Sequence, residues 1–214
     1  MTEIDANAVL WSAPERERAG RPLLVLLHGY GSHEGDLFTL APLLPLSPVI
    51  ASVRAPFVES AGNAWFPLAL PLGGHADPSF RLDQANETAG ALLRWLDSLE
   101  YTSVGLLGFS QGGAMALQLL RHAPSTFAYA VMLSGFVIED EQAGDAELAA
   151  LKPPIFWGRG TADQIIPSAF IERTAEWLPQ HSTLTERIYE GVAHAVSTSE
   201  IHDIGSFVRA HSPA

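Results

Sequence analysis

Apolar residues along this chain fall into two alternating kinds of run. Short unbroken runs at residues 23–27, 48–53, 104–107, 129–133 and 155–157 have the length and content of strands buried on both faces. Residues 184–189 alternate more, and predict one further strand. Between these runs lie segments of helical period. Leu82, Ala85, Ala89, Leu92, Leu93 and Leu96 recur at spacings of three and four, giving residues 81–99 one apolar stripe. Residues 111–122 are apolar nearly all round, as in a helix deep inside a protein, and Pro124 marks its end. Residues 168–177 and 198–210 complete the helices, the last with Ile201, Ile204 and Val208 on one face. Strands alternating with helices predict an α/β protein on a mostly parallel, twisted sheet with helices on both faces.

Two stretches break the alternation. Residues 58–79 are rich in Gly and Pro, carry Trp65, Phe66 and His75, and are read as a long loop. Residues 139–154 are acidic and end in Lys152-Pro153-Pro154, room for a small helix or loop but not for a lid domain. No repeat is present, and 214 residues fit one domain over 1–214. The balance of 47% hydrophobic to 17% charged residues suits a sheet covered on both sides. The formal charge of −12 disfavours nucleic acid and anionic membranes as partners. With no cysteine, there is neither a disulfide framework nor a thiolate nucleophile, which fits a cytoplasmic protein. The first residues show no signal peptide, and no run approaches the ~18 apolar residues of a membrane span, so integral membrane association is not expected.

The candidate chemistry starts at Gly108-Phe109-Ser110-Gln111-Gly112, a G-x-S-x-G pattern. Such a serine must sit on a sharp strand-to-helix turn, where the flanking positions nearly collide and must be glycine or very small. Chance supplies about 0.1 such matches in a chain of this composition. A buried strand directly before it and a buried helix directly after make the match specific. A nucleophilic serine needs a base, and the base needs a carboxylate to fix its tautomer. In this arrangement they follow in the order serine, acid, histidine, each after a later strand. Among the histidines beyond the serine, only His194 stands just after a strand in a turn of small residues, whereas His202 sits within an amphipathic helix and His211 in the tail. Asp163 follows the strand near 154–157, with Asp140 and Asp145 as alternatives one strand earlier. Ser168 is better placed than Asp163 to cap the helix that follows. For the oxyanion, His28-Gly29-Tyr30-Gly31 after the first long strand offers the Tyr30 N–H, and the elbow offers that of Gln111. His28 itself reads as a hydrogen-bonded structural residue.

Taken together these segments resemble the phospholipase/carboxylesterase family, the small lidless α/β-hydrolases that include the acyl-protein thioesterases. The resemblance runs from about residue 23 to 207. It rests on Leu27-His28-Gly29-Tyr30-Gly31 with Asp36-Leu37, Arg54-Ala55-Pro56 with Ala64-Trp65-Phe66, the elbow with its second glycine Gly113, and Ser134-Gly135. Gly160-Thr161-Ala162-Asp163 with Ile165-Ile166-Pro167, and Tyr189 through His194, complete it. The resemblance implies a triad at Ser110, Asp163 and His194 and oxyanion donors at Tyr30 and Gln111. Pro67 stands where many members carry an acidic residue, and Arg159 where a histidine often precedes the glycine. Both bear on the substrate rather than the reaction.

The expected activity is hydrolysis of short- to medium-chain carboxylic esters through an acyl-enzyme, with thioester or lysophospholipid hydrolysis by the same triad as the alternative. A binding protein on an inactive hydrolase scaffold is the remote alternative. Trp65, Phe66, Leu68, Phe136 and Ile165 are candidate walls of the acyl pocket. No metal or cofactor is implied, the partner is a small-molecule ester or thioester, and the chain is expected to be a monomer or homodimer.

Overall fold

The computed structural model describes residues 2–59, 62–67 and 78–212. In chain order the elements are β1 (Leu10–Trp11), β2 (Arg21–Leu27), α1 (Gly35–Phe38), β3 (Val49–Val53), β4 (Phe57–Glu59), β5 (Gly62–Ala64) and α2 (Pro78–Asp97). There follow β6 (Tyr101–Phe109), α3 (Gln111–His122), β7 (Phe127–Leu133), α4 (Asp145–Leu151), β8 (Pro154–Gly160), α5 (Ser168–His181), β9 (Thr183–Tyr189) and α6 (Thr198–His211).

Seven strands form one sheet in the order β1-β3-β2-β6-β7-β8-β9, and every pairing is parallel except that of β1 with β3. The unbroken apolar runs follow from burial on both faces. In β2, Val25 and Leu27 face a core with α2 and α3, built with Leu106, Ala130 and Met132. Leu24 and Leu26 face the other way, with Val131, Phe156 and the Ile204, Phe207 and Val208 stripe of α6. Each such side chain contributes about 1.5–3 kcal/mol on burial, so a polar residue at either parity is excluded.

The chain adds β3 on one side of β2 and then crosses back to place β6 on the other. This reversal opens a crevice beyond the carboxyl ends of β2 and β6, where open α/β sheets bind ligands. The fold is that of an α/β-hydrolase without a large lid: the 139–154 stretch forms only α4.

The sequence reading misses α1 and three further features. Strand β1 has two residues, too few to show a period. Strands β4 and β5 form a small antiparallel hairpin within the stretch read as loop, with Phe57 opposite Ala64. Helix α5 runs on to His181 through Pro179, beyond the expected end near 177. Its N-cap is Pro167 rather than a capping Ser168, and it makes no side-chain cap bond.

Candidate active site

The loops that leave the carboxyl ends of β2, β6, β7, β8 and β9 meet at one edge of the sheet. Ser110 sits on the turn from β6 to α3 with φ 55° and ψ −116°. Positive φ is costly for a residue with a side chain, by about 1–3 kcal/mol, and persists only where the surroundings enforce it. They do so here through close backbone packing. A Cβ on Gly108 would lie 2.1 Å from the Gly112 carbonyl oxygen, and one on Gly112 would lie 1.9 Å from that of Leu27. The Ser110 amide donates to Leu133 O at 2.8 Å, fixing the turn to β7.

Asp163 and His194 come together because their loops are laced to each other. Thr161 N donates to Tyr189 O, Ala162 N to Val192 O, and Gly191 N to Thr161 Oγ1. His194 Nδ1 then lies 2.7 Å from Asp163 Oδ2, with the carboxylate side chain only 3% exposed. Asp163 Oδ1 accepts from the Ile165 and Ile166 amides at 2.8 and 3.2 Å, so it closes its own turn and does not cap α5. Burial works to raise the Asp163 pKa. The bonds from His194 and the two amides outweigh it and hold the carboxyl below its ordinary value. An ionised Asp163 keeps the proton on Nδ1 and leaves Nε2 as the basic nitrogen.

The His194 ring packs on Phe109, the residue before the serine, with centroids 4.8 Å apart. The described residues include no direct hydrogen bond between Ser110 and His194. Bonds of this kind commonly tighten only when substrate binds. The alternative acids are committed elsewhere or exposed: Asp145 pairs with the buried Arg121 at 2.8 Å, and Asp140 lies on the surface.

On the other side of Ser110, the chain leaving β2 passes against the elbow. A Cβ on Gly29 would meet the Phe109 ring at 3.2 Å, and Gly31 takes φ +71°. Among the described residues, neither the Tyr30 nor the Gln111 amide has an acceptor. His28 is structural, as expected. Its Nε2 accepts from Ala55 N at 3.1 Å, so its Nδ1 carries the proton and donates to Gly29 O at 2.7 Å. Burial pushes its pKa down, which favours this neutral ring.

The residues expected to line an acyl pocket do not all face one. Trp65 is 0% and Phe66 2% exposed, both within the core, and the Trp65 indole N–H donates to His28 O at 2.7 Å. Phe136 is buried against Phe170, whereas Ile165 stands 65% exposed. Leu68 lies outside the described residues. Arg159 stacks over Trp157 and pairs with Glu186 at 3.1 Å, an engagement within β8 and β9. The side chain of Gln111 is a feature that sequence reasoning missed. It accepts from Trp65 N at 2.9 Å and donates to Phe66 O at 2.6 Å, tying the elbow to the chain after β5.

A sheet of this order, with a strained serine at the crevice and a carboxylate–imidazole pair beside it, defines the class of α/β-hydrolases. The family model described as phospholipase/carboxylesterase matches residues 12–212. Acyl-protein thioesterase 1 of Kluyveromyces lactis is 24% identical over 90% of this chain and 93% of its own length. The solved structure of esterase PE8 superposes with TM-score 0.74 at 26% identity, covering 98% of this chain and 99% of that one. A carboxylesterase from Mesorhizobium loti shares the fold at TM-score 0.76 and 18% identity, over 97% of this chain and 98% of its own. The chain belongs to the phospholipase/carboxylesterase family, and with it to the hydrolases acting on esters. Among the described residues no helix is long and apolar enough to cross a membrane.

Proposed function

We propose that the protein is a serine carboxylesterase for short- to medium-chain esters, with Ser110 as nucleophile, His194 as general base and Asp163 as the group that orients it. The observation that carries this reading is the 2.7 Å bond between Asp163 and His194 beside a serine held at positive φ. His194 Nε2 takes the proton of Ser110 as the oxygen attacks the ester carbonyl, and the Tyr30 and Gln111 amides hold the oxyanion. The alcohol leaves with the proton from His194. Water, deprotonated by the same nitrogen, then attacks the acyl-serine, and collapse of the second tetrahedral intermediate releases the acid and restores Ser110. Each oxyanion donor is worth about 3 kcal/mol of barrier.

A thioesterase reading is favoured by the likeness to acyl-protein thioesterase 1, and it uses the same atoms. The absence of cysteine suits a reducing compartment such as the cytoplasm. Hydrolysis of p-nitrophenyl esters of graded chain length, with an acyl thioester in parallel, separates the two. A maximum at short or medium esters supports the carboxylesterase. A dominant preference for the thioester moves the assignment to the thioesterase, and turnover of neither overturns both.

A further inference from the structure

Residues 62–66 make bonds out of proportion to their length. Asn63 pairs with the turn after β2 through two backbone bonds, Gly31 N to Asn63 O at 2.9 Å and Asn63 N to Ser32 O at 2.7 Å. Two residues on, Trp65 N donates to Gln111 Oε1, Gln111 Nε2 donates to Phe66 O, and the Trp65 indole reaches His28 O. Thr88 on α2 anchors the segment from behind, its hydroxyl donating to Trp65 O at 2.8 Å. One end of this short stretch therefore holds the turn that carries the Tyr30 amide. The other end holds the side chain of the residue whose own amide is the second donor.

We propose that residues 62–66 act as a brace that sets the position of the two oxyanion donors relative to each other, with Gly62, Trp65 and the Gln111 side chain as positioning residues. The inference rests on the serine-hydrolase reading of the site. The two donors come from separate elements, the loop after β2 and the start of α3, and need a common reference to stay within hydrogen-bond reach of one oxygen. Backbone bonds supply it without competing for the donors, since neither the Tyr30 nor the Gln111 N–H is used in the brace. The fit at Gly62 shows how close the approach is: a Cβ there would lie 2.4 Å from Gly31 O and 2.5 Å from Ser32 O. Those atoms belong to the turn over residues 29–32 that carries the Tyr30 amide, so a side chain at 62 must push the turn away. Trp65 and Phe66 earn their buried place in this way, as parts of the brace rather than as walls for the acyl chain.

A misplaced donor weakens the transition state and leaves substrate binding nearly untouched, because the ground-state carbonyl makes little use of the hole. Three variants test this: Gly62→Ala, which displaces the turn; Gln111→Met, which removes both side-chain bonds but keeps the backbone N–H; and Trp65→Phe, which removes the indole donor together with part of the ring, keeps the backbone bonds of the brace and guards against a misfolded Gly62→Ala protein. The readouts are kcat and KM for p-nitrophenyl butyrate, Ki for a trifluoromethyl ketone that mimics the tetrahedral adduct, and the thermal midpoint. The brace predicts kcat lower by about tenfold or more in Gly62→Ala and Gln111→Met, with KM within about threefold and Ki weakened in step with kcat. The milder Trp65→Phe moves kcat and Ki together by a smaller factor. Unchanged kcat, with or without a lower midpoint, overturns the brace, as does a fall in kcat with unchanged Ki. Ser110→Ala, assayed alongside, separates the two levels. If that variant keeps full activity, the serine-hydrolase reading has failed, whereas if it is inactive while the three variants match wild type, only the brace has.

Discussion

Replacing Asp163 by Asn exchanges one oxygen for an amide nitrogen and leaves the loop's shape nearly intact. In the native site Oδ1 accepts from two backbone amides at 2.8 and 3.2 Å, while Oδ2 faces His194 Nδ1 at 2.7 Å. The two amides fix the oxygen of an Asn side chain at the Oδ1 position, since an NH2 group there would confront two N–H donors. The NH2 is left pointing at His194 Nδ1, and a hydrogen bond then forms only if Nδ1 is the bare nitrogen. That tautomer carries its proton on Nε2, the atom that accepts from Ser110 in the proposed mechanism. Loss of the correct tautomer in such a triad costs about 10,000-fold in kcat, or about 5.4 kcal/mol of barrier. KM is expected to move little, because the change acts on proton transfer and not on binding. Stability is a separate matter. The Asp163 pKa is depressed in the folded protein, so its contribution is complete above the unfolded carboxylate value and is lost as pH falls through the lower folded one. At about pH 8 the wild type has that contribution in full and the Asn variant lacks it, so the thermal midpoint at the same pH has to show that both enzymes are folded. The measurement is kcat on p-nitrophenyl butyrate with active sites counted by a fluorophosphonate, together with the thermal midpoint. A variant that folds normally and keeps activity within tenfold of wild type refutes the orienting role.

Gly112→Ala places a methyl group 1.9 Å from Leu27 O and 2.6 Å from His28 O, and these backbone atoms cannot swing aside as a flexible side chain would. We expect a loss of about 3 kcal/mol or more in urea unfolding, and an unchanged midpoint contradicts the account of the elbow. Burial pushes the Glu200 carboxyl up to about 7, with Asp203 adding to the rise, and its Oε1 has no partner among the described residues. The folded protein thus holds that proton more tightly than the unfolded chain does, and stability falls as pH rises from the ordinary carboxylate range through about 7. Glu200→Gln should raise stability at about pH 8 by roughly 1–2 kcal/mol after allowance for screening, and by little at about pH 4. Equal thermal shifts at both pH values count against this. Ile165 is 65% exposed, so Ile165→Ser should keep stability within about 0.5 kcal/mol. It should raise KM severalfold for the longer esters alone, and an unaltered chain-length profile removes Ile165 from the substrate groove.

The central strands and α3 were legible because burial on both faces leaves an unbroken apolar run, and α3 begins and ends where the elbow and Pro124 dictate. That Asp163 and His194 come together was legible from strand order, since each follows a strand directly. The choice against Asp145 was not visible in the same way, because it depends on Arg121, whose burial beside it is a tertiary fact. β1 was too short to carry a period. The β4–β5 hairpin was hidden because its strands have three residues each, lie outside the main sheet and mix polar and apolar residues without alternation. Trp65 and Phe66 were misread for a physical reason. Large aromatics in a Gly- and Pro-rich stretch suggest an exposed wall, but whether such a ring faces groove or core is decided by partners far away in the chain. Here those partners are the carbonyl of His28 and the amide side chain of Gln111.

The most direct test of the central claim is to trap the acyl-enzyme. The protein is mixed with p-nitrophenyl butyrate, quenched in acid within milliseconds, digested with pepsin and weighed peptide by peptide. The account predicts a butyryl group on the peptide containing Ser110 and nowhere else, with neither adduct nor turnover in Ser110→Ala. An acyl group on another residue, or ester hydrolysis that survives Ser110→Ala, contradicts it.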